Sequence, residues 1–465
     1  MNSGKKYQID MCHGPLFSKI VLFAFPLMTA NVMQVLFNAI DLAIVGRYAQ
    51  HEAMAAVGSC GSLISMILSI FFGLSVGANV LAARYIGARN RAEVVKTVHT
   101  AMATAFYGGI VLAVVGVLVS RPILELMQTP EKVLPKSSLY MWLYCAGIPF
   151  ILLYNYGSSI LRAAGDTRRP MVYMIFSGFI KVGLNLFLVI VVHLDVAGVA
   201  IATLIANVIA SAMVLRALTG QRDSTRLFMN KIRFHGSNFK DILKIGIPAG
   251  IQGSLFGLSN VIIQSTINSF GSKAMAGSGA TGSLEGIVYV AFISYYFAVI
   301  SFVGQNHGAK KYKRIVKSIF YCLGLTALVA IVFGWSIILN GPRLLSLYNP
   351  DPEVVQWGMI RLKYLVSLYF LCAIMEVISG ALRGLGHSLT PMIVTMLGAC
   401  VFRVIWVIWV FPHYRTMENL LLSYSVSWIM ICLVNGSILY YICRKLFQDA
   451  AHMQRHPDYG QIQVR

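Results

Sequence analysis

Three carboxylates of this 465-residue chain, Asp41, Glu285 and Glu376, lie inside apolar runs, and two cations, Lys181 and Arg403, lie there with them. A charge in hydrocarbon costs at least about 2.5–3.5 kcal/mol, so such groups normally face a cavity or a partner and are candidates for function. Asp41 follows Gln34 and Asn38 at spacings of four and three, which sets all three on one helical face. A carboxylate shielded from water binds protons more readily, which suits a residue that loads and unloads a proton in turn. The same position also fits a cap or salt bridge that ends the helix. Lys181 can pair with deprotonated Asp41, either as a switch released when Asp41 takes a proton or as a permanent structural pair. Glu376 can serve as a cation or proton site balanced by Arg403, with Glu285 joining them; a buried ion pair that locks its half of the chain is the other reading. Arg361 and Lys363 fall near the end of their apolar run, where long side chains snorkel to water.

The elements that carry these groups follow from composition. Hydrophobic residues make up 57% and charged residues 12%, with a mean hydropathy of +0.71, whereas soluble domains run at about 45–50% apolar and about 25% charged. A soluble enzyme is excluded. Apolar runs and their breakers predict helices over 16–45, 53–80, 94–119, 137–161, 170–192, 196–218, 239–268, 275–304, 315–340, 355–381, 391–411 and 417–443, each able to cross about 30 Å of hydrocarbon. The runs lack the two-residue alternation of barrel strands, so the fold class is an all-α integral membrane protein.

The net charge of +21 is a matter of topology. Twenty basic residues occupy the loops after even-numbered helices, against seven after odd-numbered ones (Arg47, Arg121, Lys132, Lys136, Lys273, Arg343, Arg415). The bias puts the even loops and both termini in the cytoplasm, with Lys5, Lys6, Lys19, Arg444, Lys445, Arg455 and Arg465 in the tails, and makes the plasma (inner) membrane the expected location. A nucleic acid partner is then unnecessary. The eight cysteines show no C-x-x-C pair or metal spacing, and Met1 to Lys19 shows no removable signal peptide.

A shift of 221 residues lays Ala53–Leu63 over Ala274–Leu284 with seven of eleven positions alike. Within one residue it also brings Pro26 onto Pro248, Gly87-Ala88 onto Gly308-Ala309, and Leu161-Arg162 through Gly165 to Pro170-Met171 onto Leu382-Arg383 through Gly386 to Pro391-Met392. The chain reads as an N-lobe over 16–218 and a C-lobe over 239–443, joined by a basic linker at 219–238 and flanked by segments 1–15 and 444–465. Six helices per half make parallel repeats related by an axis along the membrane normal, the architecture of a secondary transporter with a central cavity. Pro26 and Pro248 free a carbonyl in the first helix of each half and permit bending. Gly73-x-x-x-Gly77 and Gly253-x-x-x-Gly257 fit close helix packing.

Together the two Leu-Arg-x-x-Gly-x-x-x-x-Pro-Met stretches, the prolines Pro26 and Pro248, Asp41-x-x-x-Val45-Gly46 and Val303-Gly304-Gln305-Asn306-x-Gly308-Ala309 resemble the multidrug and toxic compound extrusion (MATE) family over residues 15–445. The resemblance implies a twelve-helix, V-shaped exporter that exchanges protons or sodium for organic, often cationic, compounds, with gating at Pro26. Members of the DinF type, to which the chain is closer than to NorM, carry their coupling aspartate at the place of Asp41. Relatives usually show Asn-x-x-x-Asp on the fifth helix; here the positions read Lys181 and Asn185, which puts a sodium site in the first half in doubt. On the seventh helix, where NorM-type relatives use an acid, this chain offers Asn260 and Gln264. On the tenth the usual acid aligns with Cys372, one turn before Glu376. Tyr154, Tyr156, Tyr295, Tyr296 and Trp406 are candidates to line an aromatic cavity that holds a cationic drug, with Gln34, Asn38, Asn155, Asn260, Gln264 and Arg403 as its polar lining.

No P-loop, H-E-x-x-H helix or G-x-S-x-G elbow occurs. Gly277-x-Gly279-x-x-Gly282 matches a dinucleotide fingerprint with no strand before it, which fits helix packing instead. No nucleotide, cofactor or structural metal is expected beside a coupling H+ or Na+, and a monomer suffices. A flippase for lipid-linked saccharides, with the same architecture but a strongly cationic cavity, is the alternative.

Overall fold

The computed structural model describes residues 7–48, 51–126 and 129–455; the tail charges Lys5, Lys6 and Arg465 lie outside them. Twelve described helices are long and apolar enough to cross a membrane. They are α1 Leu16–Tyr48, α2 His51–Gly87, α3 Arg91–Leu126, α4 Leu134–Ala163, α5 Arg168–Val191, α6 Asp195–Thr219, α7 Gly236–Asn268, α8 Ser272–Gly308, α9 Tyr312–Leu339, α10 Pro352–Gly384, α11 Leu389–His413 and α12 Met417–Arg455. Most outrun the predicted apolar runs by a turn or less at each end. Apolarity marks the hydrocarbon, whereas backbone hydrogen bonding continues until a cap stops it. At α10 that cap is Asp351, which accepts a hydrogen bond from the Glu353 N–H at 2.9 Å. This bond and Lys273 at 3.2 Å hold its carboxyl below the usual carboxylate range.

The internal repeat extends to backbone geometry. Arg89 and Lys310, 221 positions apart, both adopt left-handed φ values of 56° and 55°, and Gly165 and Gly386 match at 93° and 92°. The Asn90 N–H donates to the Tyr85 carbonyl as Lys311 does to Asn306, and Asp166 donates to Leu161 as His387 does to Leu382. These are turns that close helices by satisfying their last carbonyls. Wide π turns follow Lys181 at Phe187–Val191 and flank Arg403 at Met396–Val401 and Trp406–Val410.

The chain forms two compact units, one of residues 7–10 with Val21–Gly257, the other of Met11–Ile20 with Leu258 onward. The division therefore does not fall at the expected linker 219–238. The start of α1 belongs with the second unit, and α7 up to Gly257 belongs with the first. In the first unit, buried residues of α4, among them Met141, Ile148, Leu152 and Tyr156, pack with Val98, Ala101 and Met102 of α3 and Val196 and Val214 of α6 in one core.

Glycines let α7 join that unit. A Cβ on Gly73 would lie 2.2 Å from the Gly250 nitrogen, one on Gly77 2.5 Å from the Ile242 oxygen, and one on Gly246 2.4 Å from the Leu74 Cα. The partners of the α2 glycines are thus Gly246 and Gly250, and the close packing expected at Gly253 and Gly257 is absent: Gly257 has nothing within 4 Å. Because the obstructing atoms are backbone, side-chain repacking cannot relieve them. Gly246→Ala is expected to destabilise by about 1–3 kcal/mol, read as a lower midpoint in heated size-exclusion runs. Gly253→Ala, whose nearest neighbour is the Ser69 Cβ at 3.8 Å, should leave the midpoint in place.

Of the apparent dinucleotide fingerprint, only Gly277 packs closely, with a Cβ position 2.5 Å from the Val354 oxygen; Gly279 and Gly282 have nothing within 4 Å. The pattern serves one helix contact, between α8 and α10.

Candidate functional site

α1 and α5 meet where α5 has no side chain. A Cβ on Gly178 would sit 2.0 Å from the Phe37 ring, and Phe37 is buried against that gap, its ring edge-on to Phe179 at 5.5 Å. One turn further along each helix, the approach brings Asp41 to Lys181. Lys181 Nζ forms a salt bridge to Asp41 Oδ2, and Asn185 Nδ2 donates to Asp41 Oδ1. Lys181 and Asn185 are four apart and so lie on one face of α5. The pair is largely shielded, with side-chain exposures of 14% for Lys181 and 12% for Asp41, and Asn185 is buried. The predicted pair is therefore present.

Asn185 Oδ1 is buried and has no hydrogen-bond partner among the described residues. An amide presents a donor and an acceptor, so rotation of Asn185 can offer a donor to the Asp41 carboxylate or an acceptor to the Asp41 carboxylic acid. The site can thus be satisfied in both protonation states. Gln34 and Asn38, on the helical face predicted for them, are exposed.

The expected grouping of Glu285, Glu376 and Arg403 does not form. Glu285 instead holds Arg361 in a two-pronged bridge, Arg361 Nε to Oε1 at 2.7 Å and Nη2 to Oε2 at 2.8 Å, with Nη1 donating to Ser278. Arg361 does not snorkel: its side chain is 12% exposed, because the contact at Gly277 brings α10 against α8. Lys363, two residues on, is exposed as expected. Glu376 is buried, while Arg383 donates to Tyr296.

Arg403, 2% exposed, donates to Ser427 (3.1 and 3.0 Å) on α12 and Ser259 (3.2 Å) on α7, and lies 4.0 Å from the centre of the Tyr424 ring. It has no carboxylate partner among the described residues. Its place is the repeat counterpart of Lys181. The offset of 221 that carries Pro170 to Pro391 would carry Lys181 to Phe402, and the extra residue taken up by the π turn at Met396–Val401 moves it to Arg403. On the α7 side the position of Asp41, carried by the offset of Pro26 to Pro248, is Ile263. Each lobe keeps an intramembrane cation at the same place, and only the first opposes it with an acid.

The remaining candidates are dispersed. The Tyr154 hydroxyl donates to the Pro170 carbonyl at 3.0 Å, and Asn155 Nδ2 to the Ile151 carbonyl of its own helix at 2.9 Å. Asn260 accepts from Tyr424 at 3.1 Å, and Gln264 bonds Asn268 and Ser278. Tyr156, Tyr295 and Tyr296 are buried, and the Trp406 indole donates to the Asn419 carbonyl at 3.0 Å. The helices run without a break through Pro26 and Pro248.

The family model MatE matches the chain twice, over residues 26–187 and 248–409. The two copies begin at Pro26 and Pro248, within one residue of the offset found from the sequence repeat, and together cover more than half of the chain. The chain belongs to the MATE family. It is 29% identical over 407 residues, 86% of this chain and 88% of the relative, to the probable multidrug resistance protein YoeA of Bacillus subtilis. It is 24% identical over 74% of its length, and 77% of the relative, to a protein named FAD transporter from Shewanella oneidensis. A solved MATE multidrug resistance transporter in an outward-facing conformation shares the fold with a TM-score of 0.88 at 20% identity, over 96% of this chain and 99% of that one. This MATE protein is therefore a multi-pass membrane transporter and not an enzyme.

Proposed function

We propose that the protein is a secondary antiporter that exports organic, mainly cationic, compounds in exchange for protons, with Asp41 as the residue that loads and releases the proton. The observation that carries this reading is the shielded Asp41–Lys181–Asn185 group. Both carboxylate oxygens are already engaged by an ammonium and an amide, which disfavours sodium as the ion and favours a proton that displaces Lys181. Released Lys181 and neutral Asp41 would then change the charge that the first lobe presents to a cationic substrate, which couples the two movements. The charge bias of the loops supports both termini in the cytoplasm of a cell with its plasma membrane as host. Pro26 and Pro248, each in the first helix of a repeat, are the proposed bending points.

Arg403, a buried guanidinium without a carboxylate, supports a second substrate class, the anionic cofactors suggested by the name of the Shewanella relative. Uptake of ethidium and of FAD into everted vesicles, energised separately by proton and sodium gradients, tests both. Proton-driven ethidium uptake is the expected result; sodium-driven uptake alone would refute proton coupling, and FAD uptake without ethidium uptake would refute the cationic class.

A further inference from the structure

The segment that joins α6 to α7 is a built platform. The Leu227 N–H donates to the Leu218 carbonyl at 3.1 Å, the Phe228 N–H to His99 Nε2 at 3.1 Å, and the His235 N–H to Thr100 Oγ1 at 3.1 Å. Asn238 Nδ2 ties the start of α7 to Thr97 and Glu93, each at 3.1 Å. All four anchors on α3 lie in its first three turns, so the platform is fixed to the end of α3 that bears Arg91.

What it presents is mixed in character. Phe228, Met229 and Phe234 are 37%, 55% and 46% exposed. Around them Arg222, Arg226, Lys231, Arg233, Lys240 and Lys244 are exposed, and none has a carboxylate within salt-bridge reach among the described residues. Arg226 and Lys231 lie 5.0 and 5.3 Å from the centre of the Phe228 ring, so their charges stay beside an apolar group without neutralisation.

The depth of this patch can be read from α3. Its outward apolar side chains begin at Phe106 and Tyr107 and run to Leu126; that stretch is about 30 Å of helix, the thickness of the hydrocarbon. Phe106 and Tyr107 thus mark the boundary between hydrocarbon and head groups. The Phe234 ring lies 5.8 Å from Tyr107 and 5.1 Å from Phe239, at that boundary. An aromatic ring at the level of the first acyl carbons, with Phe228 further out at the level of the phosphates beside cations that have no carboxylate partner among the described residues, matches one occupant.

We infer that the α6–α7 platform is a binding site for anionic phospholipid head groups of the phosphatidylglycerol type, with Phe234 at the upper acyl carbons, Phe228 and Met229 among the head groups, and Arg226, Lys231 and Arg233 on the phosphate. On the charge bias of the loops, the leaflet is the cytoplasmic one.

Native mass spectrometry of the full-length protein with equimolar phosphatidylglycerol and phosphatidylcholine tests this. The wild type is expected to retain phosphatidylglycerol preferentially, and Arg226→Gln/Lys231→Gln/Arg233→Gln to lower that preference by at least about tenfold, at roughly 1 kcal/mol for each basic residue near the surface. Lys310→Gln/Lys313→Gln/Lys317→Gln removes equal charge from another loop and should keep the preference. Equal losses in both triple variants, or none in the first, would overturn the assignment. Displacement of the lipid by millimolar glycerol 1-phosphate would also overturn it, since it would point to a site for free phosphate. If the triple variant does not fold, Lys231→Gln and Arg233→Gln singly should each show a partial loss, and an unchanged preference in both counts against the site.

Discussion

Asp41→Asn is expected to bring proton-driven ethidium uptake in everted vesicles down to the leak of vesicles that lack the protein. Two effects are combined in that loss. The variant removes the group that carries the proton, and it leaves the Lys181 ammonium shielded without its counter-charge. Breaking one side of a buried pair destabilises by about 3–5 kcal/mol, with less expected here because both side chains keep some exposure. The double variant Asp41→Asn/Lys181→Ala separates the effects: it should recover the thermal midpoint and the yield of folded protein while transport stays at the leak. Transport that returns in the double variant would remove Asp41 from coupling. Lys181→Ala alone with unchanged transport and unchanged pH dependence would reduce the pair to a structural one.

The Glu285–Arg361 bridge should behave in the opposite way. Its two parallel hydrogen bonds and the Ser278 contact satisfy a guanidinium and a carboxylate that are both buried, a geometry suited to holding α8 and α10 in one register. Glu285→Leu should lose about 3–5 kcal/mol, enough to abolish the folded peak on size exclusion for a marginally stable protein. Glu285→Leu/Arg361→Met, which replaces the pair with apolar groups, should recover folding and also proton-driven uptake, since no proton has to visit this pair. A double variant that folds but does not transport would make the bridge part of the coupling machinery.

The contrast between the pairs shows how far the sequence alone can be read. All twelve spans are legible because an apolar run of about twenty residues has few alternatives, and the repeat is legible because its glycines and prolines occupy positions that backbone geometry requires, such as the left-handed Gly165 and Gly386. The pairing of Asp41 with Lys181 follows from the scarcity of intramembrane charge in the first half. In the second half the same reasoning joins Glu376 to Arg403, and there it fails. Helical periodicity says which residues share a face of one helix, but not which helices adjoin. Arg361 looks like a snorkelling residue by its distance from the end of an apolar run, and only the close approach at Gly277 buries it. The counterpart of Lys181 is displaced by one residue because a π turn leaves no mark in hydrophobic periodicity. The repeat offset, extended by one through α11, is the signal that would have found it.

The division of α1 and α7 between the compact units bears on how the protein is made. Residues Gly236–Gly257 pack with the first unit, their glycines filling the contact with Gly73 and Gly77 of α2, so a nascent chain that has released only α1 to α6 lacks a wall of its first bundle. Translation must proceed about twenty residues past the linker before that bundle can close, and Met11–Ile20 must wait for the second unit before they find their place. The two halves are therefore successive in synthesis but interdependent in assembly. A ribosome stalled just after Thr219 should leave the first six helices inserted in the membrane with the α2 face around Leu74 uncovered, so that Leu74→Cys, a position buried against Gly246 once the chain is whole, reacts with a membrane-permeant thiol reagent in the stalled chain and not in the complete one.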